Sequence, residues 1–82
     1  MTLETLKGEA KVIGIKQVTK AVSKGRAAYV FTADDADDRV MEPLLRLCEE
    51  KEVAIVRAST MQELGKACSI EVGAAAAAVL RQ

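Results

Sequence analysis

Three short, almost wholly apolar runs, at residues 27–32, 53–56 and 73–80, are separated by stretches whose apolar side chains recur at helical spacing. This alternation restricts the fold more than any other feature. Runs of that length suit strands covered on both faces, and the amphipathic stretches supply the covering helices. Upstream of the first run, Thr2 as a cap with Leu3, Leu6 and Ala10 predicts a short helix, and residues 11–14 (Lys-Val-Ile-Gly) a short strand. From Lys16 to Lys24, Val18, Ala21 and Val22 share a helical face, which Gly25 ends at the C′ position. Residues 27–32 (Ala-Ala-Tyr-Val-Phe-Thr) predict the central strand.

Asp34, Asp35, Asp37 and Asp38 precede a helical pattern at Val40, Met41, Leu44, Leu45, Leu47 and Cys48, where carboxylates complement the helix dipole. Proline is disfavoured inside a helix, so the pattern predicts a short turn up to Met41 or Glu42 and a new helix with Pro43 as its first residue. Thr60-Met61-Gln62-Glu63 is a capping box that opens a helix reaching about Cys68. The last run, with Ala74 to Ala78, is ambiguous: intrinsic propensity favours a helix, whereas a sheet with both faces already covered favours a closely packed strand of small residues. Strand is the reading adopted. Helix and strand then alternate four times, which predicts an α/β chain: a three-layer α/β/α sandwich around a four-stranded mixed sheet. Eighty-two residues are about half the usual domain length, so one unit over residues 1–82 is expected. Fourteen alanines and only two aromatic residues, Tyr29 and Phe31, leave a core of Val, Leu, Ile and Ala.

The chain has no histidine, and its two cysteines, Cys48 and Cys68, have no partner at C-x-x-C spacing. Zinc sites, Cys-His or Ser-His dyads and imidazole acid/base chemistry therefore have no residues to draw on, and no enzyme activity or cofactor is implied. Both thiols read as small buried hydrophobes in a reducing compartment. Gly65-Lys66 lacks the upstream glycine and the Ser/Thr of a P-loop, and the four aspartates lack EF-hand spacing. No run reaches the roughly 18 apolar residues of a membrane helix, and residues 1–11 show no signal-peptide character, so the expected location is the cytoplasm.

A net charge of zero conceals a strong asymmetry. Residues 1–26 carry six basic side chains against two acidic ones, whereas residues 27–56 carry eight acidic against three basic. The basic part contains Gly14-Ile15-Lys16-Gln17-Val18-Thr19-Lys20. Glycine at a strand-to-helix turn lets a partner's backbone come close, and the helix N-terminus behind it offers N–H groups to a phosphate. Lys16, Lys20 and Lys24 form a stripe away from the Val18 and Val22 face, and Gln17 can both donate and accept at a base edge. On spacing alone the stripe reads first as the ordinary polar face of an amphipathic helix, and Gly14 is also readable as a plain turn glycine.

Three blocks in this order resemble one family. The helix start Gly14-x-x-x-Val18-Thr19-Lys20-Ala21, the segment from Pro43-Leu44-Leu45 to Leu47-Cys48-Glu49-Glu50-Lys51, and Glu63-Leu64-Gly65-Lys66-Ala67 before the Ala-rich end are similar to the ribosomal protein L7Ae family, across almost the whole chain. The size matches its small bacterial ribosomal-protein-like members. The resemblance implies an α/β/α sandwich that binds kink-turn RNA, a helix–bulge–helix with tandem sheared G·A pairs. It implies that Gly14 allows close backbone approach, that Ile15 beside it is among the RNA-binding residues, that Lys16 and Gln17 face the G·A pairs, and that Lys20 contacts phosphate or a base edge. It further implies that Arg57, Ala58, Ser59, Thr60 and Met61 form a loop over the bulge nucleotides, flanked by Lys66. One departure stands out, because the archaeal pattern has Asn-Glu where this chain has Lys16-Gln17, exchanging a carboxylate for an amide and an amide for a cation.

The expected function is therefore recognition of structured RNA, ribosomal or other non-coding, by a monomer with no membrane association. The alternative is a protein-interaction module of the same fold that docks through its acidic face, Asp34 to Glu42, without RNA binding.

Overall fold

The computed structural model describes residues 10–58, 60–68, 70 and 72–81. Its elements run β1 (Lys11–Ile13), α1 (Ile15–Ser23), β2 (Ala27–Ala33), α2 (Asp38–Glu50), β3 (Ala54–Ala58), α3 (Met61–Ala67) and β4 (Ala76–Leu80). One mixed sheet has the order β1-β4-β2-β3, with β4 antiparallel to both neighbours and β3 parallel to β2. The helix expected over residues 2–10 lies, but for Ala10, outside the described residues. No helix among them is long and apolar enough to cross a membrane.

The two inner strands are β2, read from the sequence as central, and β4, the ambiguous alanine run. Ala76, Ala77 and Ala78 are fully buried, so tertiary packing overrides the helix propensity of alanine. Strand alternation divides the covering helices between the two faces. Val12 and Leu80 line a cleft with side chains of α1, and Ala78, opposite Val12 and Val30, points the same way. Here α1 and α2 pack side by side. On the other face are Tyr29 and Phe31, with ring centroids 5.5 Å apart, and α3, whose following residue Cys68 feels the charge of Lys11. The fully buried Val18, Val22, Val30, Phe31, Leu44, Cys48 and Leu64 join the layers, each large aliphatic or aromatic side chain contributing roughly 1.5–3 kcal/mol. Both cysteines are buried free thiols, and burial pushes both above their ordinary value.

Helix ends follow local chemistry. Gly25 has φ +71°, Gly25 N–H donates to Val22 O at 3.1 Å, and Arg26 N–H donates to Ala21 O at 2.9 Å, which closes α1 in a Schellman motif. The same pair of bonds closes α2, with Glu52 at φ 58° in the left-handed place. The expected break before Pro43 does not occur, because α2 is continuous from Asp38 to Glu50 with Pro43 as its sixth residue. Buried Met41, Leu44 and Cys48 lie on one stripe that straddles the proline and anchors both halves, while Pro43 itself faces solvent. The missing N–H of Pro43 leaves the Arg39 carbonyl without its helical donor.

Pro43→Ala restores that bond without touching the core. Chemical denaturation is expected to show a gain of about 2 kcal/mol, the helix-interior preference for Ala less the unfolded-state entropy that Pro removes. Unchanged or lower stability would mean that the α2 backbone has no ladder bond to recover at this position.

Candidate nucleic-acid interface

The strand directions bring the C-terminal ends of β1, β2 and β3 and the start of β4 to one end of the sheet. Gly14, which follows β1, is the N-cap of α1 with φ 98°, a conformation that a residue with a Cβ adopts only under strain. A Cβ there would meet nothing within 4 Å, so backbone conformation dictates the glycine and the space before it is open. Gly14 N–H donates to Ala76 O at 2.9 Å, which ties the turn to β4. Among the described residues α1 is the helix without a side-chain cap, and its first turn holds no acid. The first N–H groups of α1 thus have no capping side chain, and no acid in the first turn offsets the positive end of the helix dipole. Lys16 and Gln17 are exposed in its first turn and Lys20 in its last, while Ile15 is half-buried against the core.

The second expected segment is not one loop. Arg57 and Ala58 belong to strand β3, Met61 is the first residue of α3, and Thr60 stands between them with Ser59, which lies outside the described residues. Parallel pairing with β2 in full register, Thr32 to Arg57 and Ala33 to Ala58, extends the strand past the apolar run that marked it in the sequence. Ala58 is buried, and Arg57 is exposed with its guanidinium 3.7 Å from the Asp34 carboxylate. Thr60 caps α3 as its sequence pattern predicts, its Oγ1 accepting from Glu63 N–H at 3.0 Å. Lys66 is exposed in the last turn of α3, more than a turn beyond Met61.

Met61 is where this end of the molecule is joined. Its N–H donates to Asp35 Oδ1 at 2.7 Å, and its carbonyl accepts from Ala74 N–H at 3.0 Å. Gly73 lies so close that an added Cβ would stand 3.2 Å from Met61 Cβ. Gly65, one turn on, leaves no room for a side chain against the Val72 carbonyl. Gly14 and Met61 are thus bonded to positions two residues apart, Ala76 and Ala74, and the two expected RNA-facing segments converge. Sequence reasoning missed Asp35, reading it as part of the α2 start. Its carboxylate serves a helix 26 residues away, and no local pattern announces such a partner. The acidic stretch is mostly engaged inside the chain: Asp37 caps α2 through Arg39 N–H at 2.9 Å, Asp34 pairs with Arg57, and Glu42 pairs with Arg46 at 2.7 Å.

Asp35→Ala is expected to lower stability by about 1 kcal/mol through loss of an acceptor at the α3 N-terminus. Asp35→Asn keeps an acceptor oxygen and should restore most of that loss. Equal destabilisation by both, measured by denaturant titration, would assign the effect to charge rather than to the hydrogen bond.

Known proteins resemble the chain in sequence and, separately, in fold. The family model described as Ribosomal protein L7Ae/L30e/S12e/Gadd45 family matches residues 3–82. A protein of Geobacillus thermodenitrificans named "RNA-binding protein" is 47% identical over 70 residues, 85% of each chain. The "RNA-binding protein YbxF" of Geobacillus stearothermophilus is 44% identical over the same share of both chains. Among solved structures, a Giardia lamblia 15.5kD RNA binding protein superposes with a TM-score of 0.91 at 29% identity, covering 98% of this chain and 71% of that one. The chain belongs to the ribosomal protein L7Ae/L30e/S12e/Gadd45 family.

Proposed function

We propose that this protein binds RNA and that its target is a kink-turn, recognised by a monomer in the cytoplasm without catalysis. The observation that carries the reading is the uncapped, acid-free start of α1, with open space before Gly14, Lys16 and Gln17 exposed in the first turn and Lys20 exposed further along the helix. Support comes from the family match and from relatives named as RNA-binding proteins.

A regular A-form helix hides its base edges in a deep, narrow major groove, whereas tandem G·A pairs at a kink widen it and admit a helix end. In this reading Gly14 and Ile15 bring backbone close to the RNA, and the amide of Gln17 accepts from or donates to a guanine edge. Lys16 adds a donor where the archaeal pattern has Asn, and Lys20 meets phosphate. Thr60 and Met61, held beside Gly73 and Ala74, lie over the bulge nucleotides. Arg57 and Lys66 flank them as cations, and the buried Ala58 contributes backbone alone. The exchange of Glu for Gln17 removes a carboxylate from a phosphate-rich surface, which shifts affinity towards charge and away from base readout.

In gel-shift titrations with bulk transfer RNA as competitor, a kink-turn is expected to bind in clear preference to a straight duplex of equal length. Equal affinity for the two would sink the reading. Within the motif, Lys20→Ala should weaken both complexes and lower the salt slope by about one, since a phosphate contact carries no sequence information. Gln17→Ala should cost about 1–3 kcal/mol on the kink-turn alone, with the slope unchanged. Loss of discrimination in Lys16→Ala instead would move base reading to Lys16.

A further inference from the structure

Strand β3 forms one edge of the sheet, and among the described residues no strand lies beyond it. Asp34 N–H donates to Ala58 O at 3.1 Å, so Ala58, and at alternate positions Val56 and Ala54, turn their backbone groups towards β2. Ile55 and Arg57 therefore direct their N–H and C=O groups away from the sheet, whereas Val53 N–H donates to Cys48 O at 2.8 Å. Ile55 is 37% exposed and borders an open groove with Leu45, Glu49, Val53 and Arg57. Glu49 and Arg57 are both exposed. Natural sheet edges are blunted by charge, proline, a bulge or a cover. Here the five residues of β3 follow β2 in unbroken register, and Arg57 is the one charge among them.

A second copy of the chain fits this edge in one register. Two β3 strands running antiparallel about a two-fold axis at Val56 set Ile55 opposite Arg57 of the second copy, and Arg57 opposite its Ile55. Both become hydrogen-bonded pairs, so the outward N–H and C=O groups of Ile55 and Arg57 find partners on each copy. An axis at Ile55 would instead bring Arg57 against Val53, whose N–H is already engaged, and an axis at Arg57 would set two guanidinium groups face to face. In the Val56 register the side chains of Ile55 and of the facing arginine lie on the α2 side of the sheet. The arginine stem covers Ile55, and the guanidinium reaches towards Glu49 in the same groove. Symmetry repeats the contact. Asp34, 3.7 Å from Arg57 within the chain, occupies only part of a guanidinium with five donors.

We propose that β3 binds β3 of a second copy edge to edge in the free protein, with Arg57 and Glu49 forming two symmetric ion pairs, and that engagement of RNA releases the pair. The pairing rests on the sheet edge alone, and the release rests on the RNA-binding reading above. That reading sets Arg57 beside the bulge nucleotides, with Thr60 and Met61 over them. In the pair, Arg57 is turned to Glu49 of the second copy, and Glu52 of that copy, just before its strand, approaches Thr60, just after this one. A carboxylate then stands where the RNA backbone would pass. The pair is weak and concentration-dependent, because a five-residue edge covers far less than the roughly 800 Å² per partner of a stable interface.

The test uses the full chain, with every variant first shown folded by circular dichroism. Sedimentation velocity up to millimolar concentration should show a monomer–dimer equilibrium. Arg57→Glu and Glu49→Arg should each weaken it on the order of tenfold, because each sets like charges across both ion pairs. An equimolar mixture of the two variants should recover it, since every arginine again meets a glutamate across the axis. Ile55→Pro removes an outward N–H and no bond to β2, and should hold the folded chain as a monomer. In hydrogen exchange, the amides of Ile55 and Arg57 should slow as concentration rises, while that of Val56 stays constant. A parent that remains monomeric, a mixture no stronger than either variant, or dimers that survive Ile55→Pro overturn the pairing. Kink-turn RNA added to the dimeric parent should give complexes of one protomer per RNA, and dimers retained on the RNA overturn the release. RNA that does not bind removes the release together with the earlier reading, while mixing and exchange still decide the pairing.

Discussion

Three backbone hydrogen bonds around the start of β4 hold the candidate interface together. Gly14 N–H donates to Ala76 O and Ala33 N–H to Ala75 O, both at 2.9 Å, and Ala74 N–H donates to Met61 O at 3.0 Å. One stretch of three residues thereby fixes the start of α1, the end of β2 and the start of α3 relative to one another. The arrangement depends on β4 lying inside the sheet, which depends in turn on its small side chains. Ala76, Ala77 and Ala78 are buried without residual exposure, and larger residues there would push α1 and α3 outwards from their opposite faces. A strand with little hydrophobic content of its own thus sets the spacing between the helix start proposed to read RNA and the residue proposed to lie over its bulge. Rigid positioning matters because hydrogen bonds to base edges discriminate only when donors and acceptors are held within a narrow range of geometry.

Opposite charges have opposite fates in this fold. Most carboxylates between Asp34 and Glu42 are turned to internal tasks: Asp35 and Asp37 cap helices, and Asp34 and Glu42 pair with arginines. Their fields are partly cancelled within the chain, which leaves less unsatisfied negative charge for an acidic docking face. The lysines of α1 have no such partners among the described residues. Mutual repulsion along the stripe is a cost in the free protein that a polyanion relieves on binding, so the asymmetry seen in the composition becomes a difference in what each surface can do.

The architecture was legible wherever one physical cause acted locally. The apolar runs became β2, β3 and β4, the Val18, Ala21 and Val22 stripe became the buried face of α1, Gly25 closed that helix, and Thr60 capped α3. Pro43 misled because its local cost was weighed without the buried stripe of Met41, Leu44 and Cys48 on both sides of it. Arg57 and Ala58 carry no strand signal in the sequence, because their strand character comes from pairing with Thr32 and Ala33, not from their own side chains. Asp35 was invisible as a partner of Met61 for a related reason, since a cap supplied across 26 residues exists only after the sheet has formed. At the candidate interface, spacing alone leaves Gly14, Lys16, Gln17 and Lys20 readable as a turn glycine and a solvated helix face, and the family resemblance singles them out, whereas the cleft lined by Lys24 and Arg26 exists only once β1 and β4 lie beside α1.

The two ends of α1 differ in what they offer an anionic ligand. Its N-terminal N–H groups have no capping side chain, so the positive end of the dipole is available to a ligand. Its C-terminal carbonyls are closed by the Schellman bonds around Gly25, so the negative end is largely spent within the chain. With both ends biased towards anions and lysines at every turn between, a strand of phosphates meets little repulsion from Lys16 to Lys24. Electrostatics of this kind attract any nucleic acid, so in the proposed reading discrimination comes from the narrow region where Gly14 leaves open space and Gln17 is exposed. An amide at Gln17 in place of a carboxylate favours the first property over the second, so the proposed reading rests selectivity more heavily on the shape of the kink than on the identity of the bases within it.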